Sequence, residues 1–330
     1  MGSGKTDKKK IVTIGGGTGT FVVLSGLRKL PDVILSAIVS TLDDGGSTGR
    51  LRDAYGFLPH GDARQALVAL ANGKSPLMRE LFAYRFSKGD IAGHNFGNLF
   101  LTALTDILGS DAKAIEEAAN ILRVKGYVIP VSEKPGTLVA TLENGETVVG
   151  EHLIDTRTPG RSAIAQLSTK EPTAICEDAK RAIAEADMII LGPGDLYAST
   201  LANFAIVGMK EAVSASKAKL VYIVNLFTKA GETDGYTAKR HVDEIVQYTG
   251  RKPDAVVIHN GAFARDVLAY YGSEKEYPVV DDLGDDARVI RAPFASVVTA
   301  EKVAGDTVPR SFIRHDSDML AAEIEKLLSL

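Results

Sequence analysis

The sequence predicts an α/β fold: a doubly wound, mostly parallel Rossmann-like sheet with a small antiparallel β insertion. Three observations carry this prediction. Short, almost wholly apolar runs at residues 11–14, 33–39 and 188–191 alternate with longer stretches of helical periodicity, the pattern of buried parallel strands joined by crossover helices. Two of these runs, ending at Ile14 and Leu191, break directly into glycines and then into a helical pattern. Between about residues 126 and 170 the rhythm changes to short strands around Asn144 and Gly145, a dipeptide that favours a two-residue hairpin.

At 330 residues, 45% of them hydrophobic, the chain can bury a full core without help. Residues 1–9 read as a disordered start and 10–330 as one α/β domain with the β-rich excursion inside it. Lys5 and Thr6 imitate the end of a P-loop, but no strand precedes them. Cys176 is the only cysteine, which excludes an intrachain disulfide and a cysteine metal site and makes a reducing, cytoplasmic setting the expectation. The net charge of −4 gives no general attraction to nucleic acid or to an anionic membrane. No stretch approaches the roughly 18 uninterrupted apolar residues of a membrane span.

The first βα unit organises the rest. Gly15, Gly16 and Gly17 allow a sharp turn and close approach of a ligand to the backbone, and the helix beginning near Thr18 points its free N–H groups at the turn. A phosphate suits that place. The turn has no Lys-Ser/Thr ending, as a P-loop requires, and Thr20 stands where a dinucleotide fingerprint has its third glycine or an alanine. Strand 33–39 runs into Asp43, Asp44, two glycines, two hydroxyls and Arg50, a polar loop suited to a divalent cation or ligand hydroxyl at the acids and a phosphate at the arginine. Asp62 precedes a helix over 65–70, where it can cap the helix, join the earlier acids on one Mg²⁺, or do both.

Helices follow over 76–86, 99–108 and 111–122. Asn95 can cap the second of these, and His94, Asn95 and Asn98 can face one pocket. The excursion is read as strands 127–130, 137–142 and 147–151, with Asp155 to Arg161 as a solvated loop. A helix over 177–186 leads to strand 188–191 and a second glycine turn containing Gly192 and Gly194, again suited to an anion. Strand 219–225 ends at Asn225, helix 237–249 follows, strand 255–258 ends at His259, and the chain closes with Arg314, His315 and a helix over 317–328.

In a doubly wound sheet all strands present their carboxyl ends at one edge, where ligands bind. Polar and glycine-rich clusters fall at that edge after residues 14, 39 and 191, at Asn225 and at His259, which together point to a nucleotide or phosphorylated ligand. The order of Gly15–Gly17 with Thr18, Asp43–Arg50, Gly61-Asp62 with Arg64, the Gly93–Asn98 loop, the Gly192–Tyr197 turn and Gly231–Asp234 closely resembles the YvcK-like branch of the CofD/YvcK family, from Lys10 onward. The CofD branch transfers a phospholactyl group from a guanosine diphosphate carrier to a deazaflavin alcohol with Mg²⁺. The YvcK branch is bacterial and cytoplasmic, supports growth and cell shape on gluconeogenic carbon sources, and binds UDP-sugars, notably UDP-N-acetylglucosamine.

The resemblance implies that Gly16, Gly17 and Thr18 hold a diphosphate and that Asp44 and Asp62 correspond to the metal-binding acids of the transferase branch. Asn95, Gly194, Tyr197, Asn225 and Arg314 look like nucleotide or sugar contacts, and Asp43, Arg50, His94, Asn98 and Gly192 complete the expected binding set. The chain departs from the family at His60, where a proline is more frequent, and at Asp195, where many members have serine. The expected partners are a UDP-sugar or other nucleoside diphosphate, Mg²⁺ and regulatory proteins that the sequence does not name; a homodimer is compatible with it. The leading reading is a UDP-sugar-binding regulator; the alternatives are a Mg²⁺-dependent CofD-like transferase and, behind it, an NAD-dependent oxidoreductase.

Overall fold

The computed structural model describes residues 8–72, 76–297 and 313–329, so most of the predicted disordered start lies outside the described residues. β1 (Lys9–Ile14) turns into α1 (Gly17–Leu27), and β2 (Val33–Val39) follows. A helical block, α2 (Gly46–Tyr55), α3 (Gly61–Leu70), α4 (Pro76–Ala83), α5 (Phe96–Leu108) and α6 (Asp111–Leu122), returns to β3 (Tyr127–Pro130). The insertion contains β4 (Leu138–Leu142), β5 (Thr147–Val149), the short helix α7 (Glu151–Asp155) and β6 (Ile164–Thr169). After α8 (Glu177–Ala184) and β7 (Met188–Leu191), a π-helical turn at Leu196–Thr200 runs into a 3-10 turn at Leu201–Ala205. The chain continues through α9 (Met209–Ala215), β8 (Lys219–Ile223), α10 (Ala238–Thr249), β9 (Ala255–His259), α11 (Arg265–Ser273), β10 (Val289–Ala292), β11 (Ala295–Val297), β12 (Ile313–His315) and α12 (Ser317–Ser329).

Seven strands form one sheet in the order β10-β9-β8-β7-β1-β2-β3, each paired in parallel with its neighbours. The strand order reverses between β1 and β7, the switch point at which crevices open in such sheets. Alternate residues of β1 feed two cores: Val12 and Ile14 pack with Ala179, Val213 and Ile245 on one face, and Ile11 with Leu24, Leu67 and Ile324 on the other. The insertion forms a three-stranded antiparallel sheet, β5-β4-β6, whose Leu138, Ala140 and Leu167 join the first core. Gly26 explains how α12 docks against α1: a Cβ there would lie 2.0 Å from the Ser317 carbonyl oxygen.

Three elements differ from the sequence reading. Residues 127–130 are not part of the antiparallel excursion: β3 pairs in parallel with β2, Ser36 opposite Tyr127. Four residues are too few to show alternation, and the preceding helices make this a crossover rather than a hairpin. The strand expected over 147–151 stops at Val149; Gly150, at φ +107°, redirects the chain into α7. The loop expected after Asp44 becomes helical at Gly46, although its glycines and hydroxyls have low intrinsic propensity; the Gly49 N–H closes the first turn on the Gly45 carbonyl at 2.8 Å, and glycine is required at 49 because a Cβ there would fall 2.0 Å from the Asp44 carbonyl oxygen.

β12 carries His315 into the interior, where burial, and then His259, push its pKa down to about 3 against an opposing backbone hydrogen bond at Val224. The unfolded chain takes up this proton near the ordinary value of about 6.5, so stability present above that pH is lost as pH falls from about 6.5 toward 3. His315→Asn is therefore expected to lose about 1–2 kcal/mol less than the parent between pH 7 and pH 4.5. Urea unfolding at both pH values checks this; parallel losses in parent and variant would refute it.

Candidate functional site

The crevice is built from the carboxyl ends of the strands. At the first turn Gly17, with φ +66°, donates its N–H to Asp62 Oδ1 at 2.8 Å, and a Cβ on Gly16 would lie 2.0 Å from Asp62 Oδ2. Thr18 is exposed on the next step of α1. Asp62 is not an N-cap: it lies in the first turn of α3, whose N-cap position is His60, and it caps the neighbouring helix α1 instead. Burial, then the charge of Asp43, raise its pKa to about 7, against the pull of the Gly17 N–H and Arg64.

Asp43 accepts from the Gly45 N–H at 2.8 Å, and burial raises its carboxyl pKa. Its Oδ2 would lie 2.8 Å from a Cβ on Gly61, so it closes in on the start of α3. Asp44 turns the other way, accepting from the His152 N–H at 2.8 Å at the start of α7. This contact docks the insertion into the crevice. Glu151, on the same helix, is pushed up to about 10 by burial and then by Asp43, Asp155, Asp62 and Asp44. The acid that bears on Asp62 is thus Asp43 rather than Asp44, and Glu151 is where all three acids meet.

One turn beyond Glu151, Asp155 enters a second acidic group. Carboxylate oxygens of Asp155, Asp195 and Glu232 lie within 4.8 Å of one another. Lys229 Nζ is 3.5 Å from Asp155, and Asp195 is the main cause of the upward shift in the Lys229 pKa. Asp155 is therefore not in a solvated loop. Its i, i+4 spacing from Glu151 on α7 was the available sequence signal, but it points inward only once the insertion docks. Glu232 lay inside the Gly231–Asp234 motif without being singled out, and Lys229 and Glu151 had no signal that separated them from surface charges.

The second glycine turn is stabilised from within. Glu232 Oε2 accepts from the N–H groups of Tyr197 at 3.0 Å and Ala198 at 3.4 Å, so the acceptor at these N–H groups is the protein's own side chain. The Asn225 amide clamps Gly194, with its Nδ2 donating to the Gly194 carbonyl at 2.7 Å and its Oδ1 accepting from the Gly194 N–H at 3.3 Å. Gly192, at φ +71°, approaches Ile223 so closely that a Cβ would be 2.8 Å from its carbonyl oxygen. A Cβ on Gly194 would be 3.6 Å from the Gly16 carbonyl oxygen, which places the two glycine turns side by side at the switch point. The Tyr197 ring is fully buried and its hydroxyl meets Tyr236 at 3.0 Å, so the side chain faces the core.

The two ends of the crevice differ in character. Beyond Asn225, at the ends of β8 and β9, lies a cavity of about 390 Å³ bordered by Asn225, Ile258, His259, Phe263, Pro278 and Asp281. At the opposite end His94 Nδ1 is 3.2 Å from Ser47 Oγ, and Arg50 lies beside Gly93. Asn95 and Asn98 are buried between them and the core. Asn95 Oδ1 accepts from the N–H groups of Gly97 and Asn98, as the sequence suggested for a cap. Asn98 accepts from Arg64 at 3.0 Å and donates to Ser47 and Thr48, tying α5 to α2. Both amides are occupied in structural roles. Arg314 sits half-buried in β12 opposite Ser296, between Ile313, which shares an apolar cluster with Leu226 and Phe263 of the cavity border, and His315, which bears on His259.

Residues 11–300 match the family described as 2-phospho-L-lactate transferase CofD. The chain is 41% identical over 277 residues to the gluconeogenesis factor of Halalkalibacterium halodurans, covering 83% of this chain and 85% of that one. It is also 41% identical over 269 residues to the gluconeogenesis factor of Listeria innocua, covering 80% and 81%. The chain belongs to the CofD/YvcK family, in its gluconeogenesis-factor branch. A crystal structure of a Bacillus halodurans protein superposes with a TM-score of 0.87 at 35% identity, covering 98% of this chain and 100% of that one.

The resemblance to the transferase branch raises the question of Mg²⁺. The donor chemistry suits such an ion, although among the described residues three carboxylate oxygens come within 4.8 Å of one another only at Asp155, Asp195 and Glu232. Asp43, Asp44, Asp62 and Glu151 offer only carboxylate oxygens, the donors Mg²⁺ takes, and the upward shifts of Asp43, Asp62 and Glu151 reflect burial and repulsion that a dication would offset. Asp155, Asp195 and Glu232 already have Lys229 among them.

Proposed function

We propose that this protein is a UDP-sugar-binding gluconeogenesis factor of the cytoplasm, taking UDP-N-acetylglucosamine or a close analogue and acting on growth and cell shape on gluconeogenic carbon sources through protein partners. One observation carries the ligand class: a continuous line of contacts crosses the carboxyl edge from the cavity through Asn225 and Gly194 to Gly16, Gly17 and Asp62. The cavity and its Phe263 wall suit a nucleobase, and the paired glycine turns suit a diphosphate because backbone can approach it without a Cβ.

Mg²⁺ would sit with Asp62 and the Asp43, Asp44 and Glu151 carboxylates, neutralising the diphosphate beside them. Asp62 would then give up its hold on the Gly17 N–H or share it with the ligand. The same acids support the second reading, a CofD-like transferase acting on an alcohol, since a dication at a diphosphate is what such a displacement needs.

Thermal denaturation and calorimetry with UDP-N-acetylglucosamine, UDP, GDP and NAD, each with and without Mg²⁺, test this. UDP-N-acetylglucosamine is expected to raise the melting temperature most. A GDP effect that requires Mg²⁺, exceeding that of every UDP ligand, would favour the transferase, and no shift with any of the four would refute the nucleotide site.

A further inference from the structure

The end of the crevice opposite the cavity is cationic, and the line of residues on which the nucleotide reading rests stops short of it at Asp62. Two guanidinium groups flank Gly93: Arg85 Nη1 donates to its carbonyl oxygen at 2.7 Å, and Arg50 Nη2 lies 3.1 Å from where a Cβ on Gly93 would stand. The His94 imidazole is next to them, its Nδ1 engaged with Ser47 in the first turn of α2. Arg50 makes no hydrogen bond or ion pair among the described residues.

We propose that Arg50, Arg85 and His94 form a subsite for the phosphate group of a small phosphate monoester, separate from the diphosphate at the glycine turns. A phosphate dianion has three terminal oxygens and accepts donors from several directions, which the Arg50 fork and an imidazole N–H supply, with the Arg85 guanidinium, held in place by the Gly93 carbonyl, adding its charge beside them; a carboxylate would use one fork. Burial and the two arginines lower the His94 pKa, so the ring is neutral at neutral pH and acts as a hydrogen-bond donor. Asp43 and Asp44, just before α2, limit the positive field to the His94 side, which admits a small anion and repels a polyanion such as nucleic acid. Because this end is separated from the cavity by the acids, the subsite can be filled whether or not a nucleotide occupies the rest.

The test is calorimetric titration of the full chain with glycerol 1-phosphate, with glycerol as the neutral control, repeated in the presence of saturating UDP-N-acetylglucosamine. The parent is expected to bind the ester and not glycerol, and Arg50→Ala to bind it about tenfold more weakly or worse. UDP-N-acetylglucosamine binding by Arg85→Ala, a residue outside the expected nucleotide set, is expected to be unchanged while its ester binding falls, and Arg50→Lys to recover part of the loss of Arg50→Ala. Arg50 is exposed and unbonded, so its replacement leaves the fold intact, and an unchanged melting temperature confirms that.

No binding of the ester by the parent, equal binding by Arg50→Ala, or loss of ester binding when UDP-N-acetylglucosamine is present would overturn the separate subsite. Failure of the nucleotide reading would instead appear as no heat with UDP-N-acetylglucosamine, with the ester titration still decisive.

Discussion

In chelator at pH 8, Asp62→Asn is expected to unfold several degrees above the parent and to show none of the further stabilisation that Mg²⁺ gives the parent. The argument rests on sign. The Asp62 carboxyl is raised to about 7, above its unfolded value of 3.8, so the fold favours its protonated form. Stability associated with that proton is complete below about pH 4 and is lost as pH rises through about 7. At pH 8 the native protein therefore holds a repelled, largely buried carboxylate. Asparagine keeps an Oδ1 acceptor for the Gly17 N–H and removes the charge facing Asp43. With solvent access and relaxation allowed for, the gain is about 1–2 kcal/mol, or about 2 °C per kcal/mol for a chain of this size.

Glu151→Gln supplies an internal comparison. Its carboxyl, raised to about 10, is still protonated at pH 8, so the amide should leave the metal-free melting temperature nearly unchanged. A variant Asp62→Asn that is less stable than the parent in chelator would show that the carboxylate is a net stabilising cap. Retained Mg²⁺ stabilisation in that variant would move the cation to other acids.

The parallel strands were legible because burial on both faces writes them as continuous apolar runs: β2 and β7 occupy the residues that pattern indicated. The turns after β1 and β7 were legible because glycines between an apolar strand and a helix have few other uses. Asp43, Asp44 and Asp62 stood out because they follow strand ends closely in sequence. The other half of the acidic site was not legible for a physical reason. Glu151 and Asp155 reach the crevice only because Asp44 caps α7, a contact spanning 108 residues, and no local periodicity encodes it. Tyr197 misled in the opposite sense: its place in a glycine turn suggested a ligand contact, but the π-helical turn aims its ring at the core. Arg85 gave no motif signal, and its place beside Arg50 depends on how the Gly93 loop folds back.

Gly19→Ala is expected to cost about 3 kcal/mol or more and to weaken nucleotide binding by at least about 100-fold, while Gly272→Ala should be neutral or stabilising by up to about 1 kcal/mol. Both positions are helical, one in α1 and the other in α11, so helix propensity favours alanine at each. What differs is the surroundings. A Cβ on Gly272 meets nothing within 4 Å, whereas one on Gly19 would lie 2.0 Å from the Pro193 carbonyl oxygen and 3.0 Å from the Gly194 nitrogen. These are backbone atoms, and Gly194 is clamped by Asn225, so the turn cannot yield as a flexible side chain would. The overlap must instead separate the start of α1 from the turn after β7. Those are the two surfaces proposed to hold the diphosphate, so binding should fall by more than stability alone accounts for. Urea unfolding and calorimetry on both variants separate the two effects: a Gly19→Ala protein that is destabilised yet binds UDP-N-acetylglucosamine as tightly as the parent would mean that the paired turns form a packing contact and the diphosphate lies elsewhere.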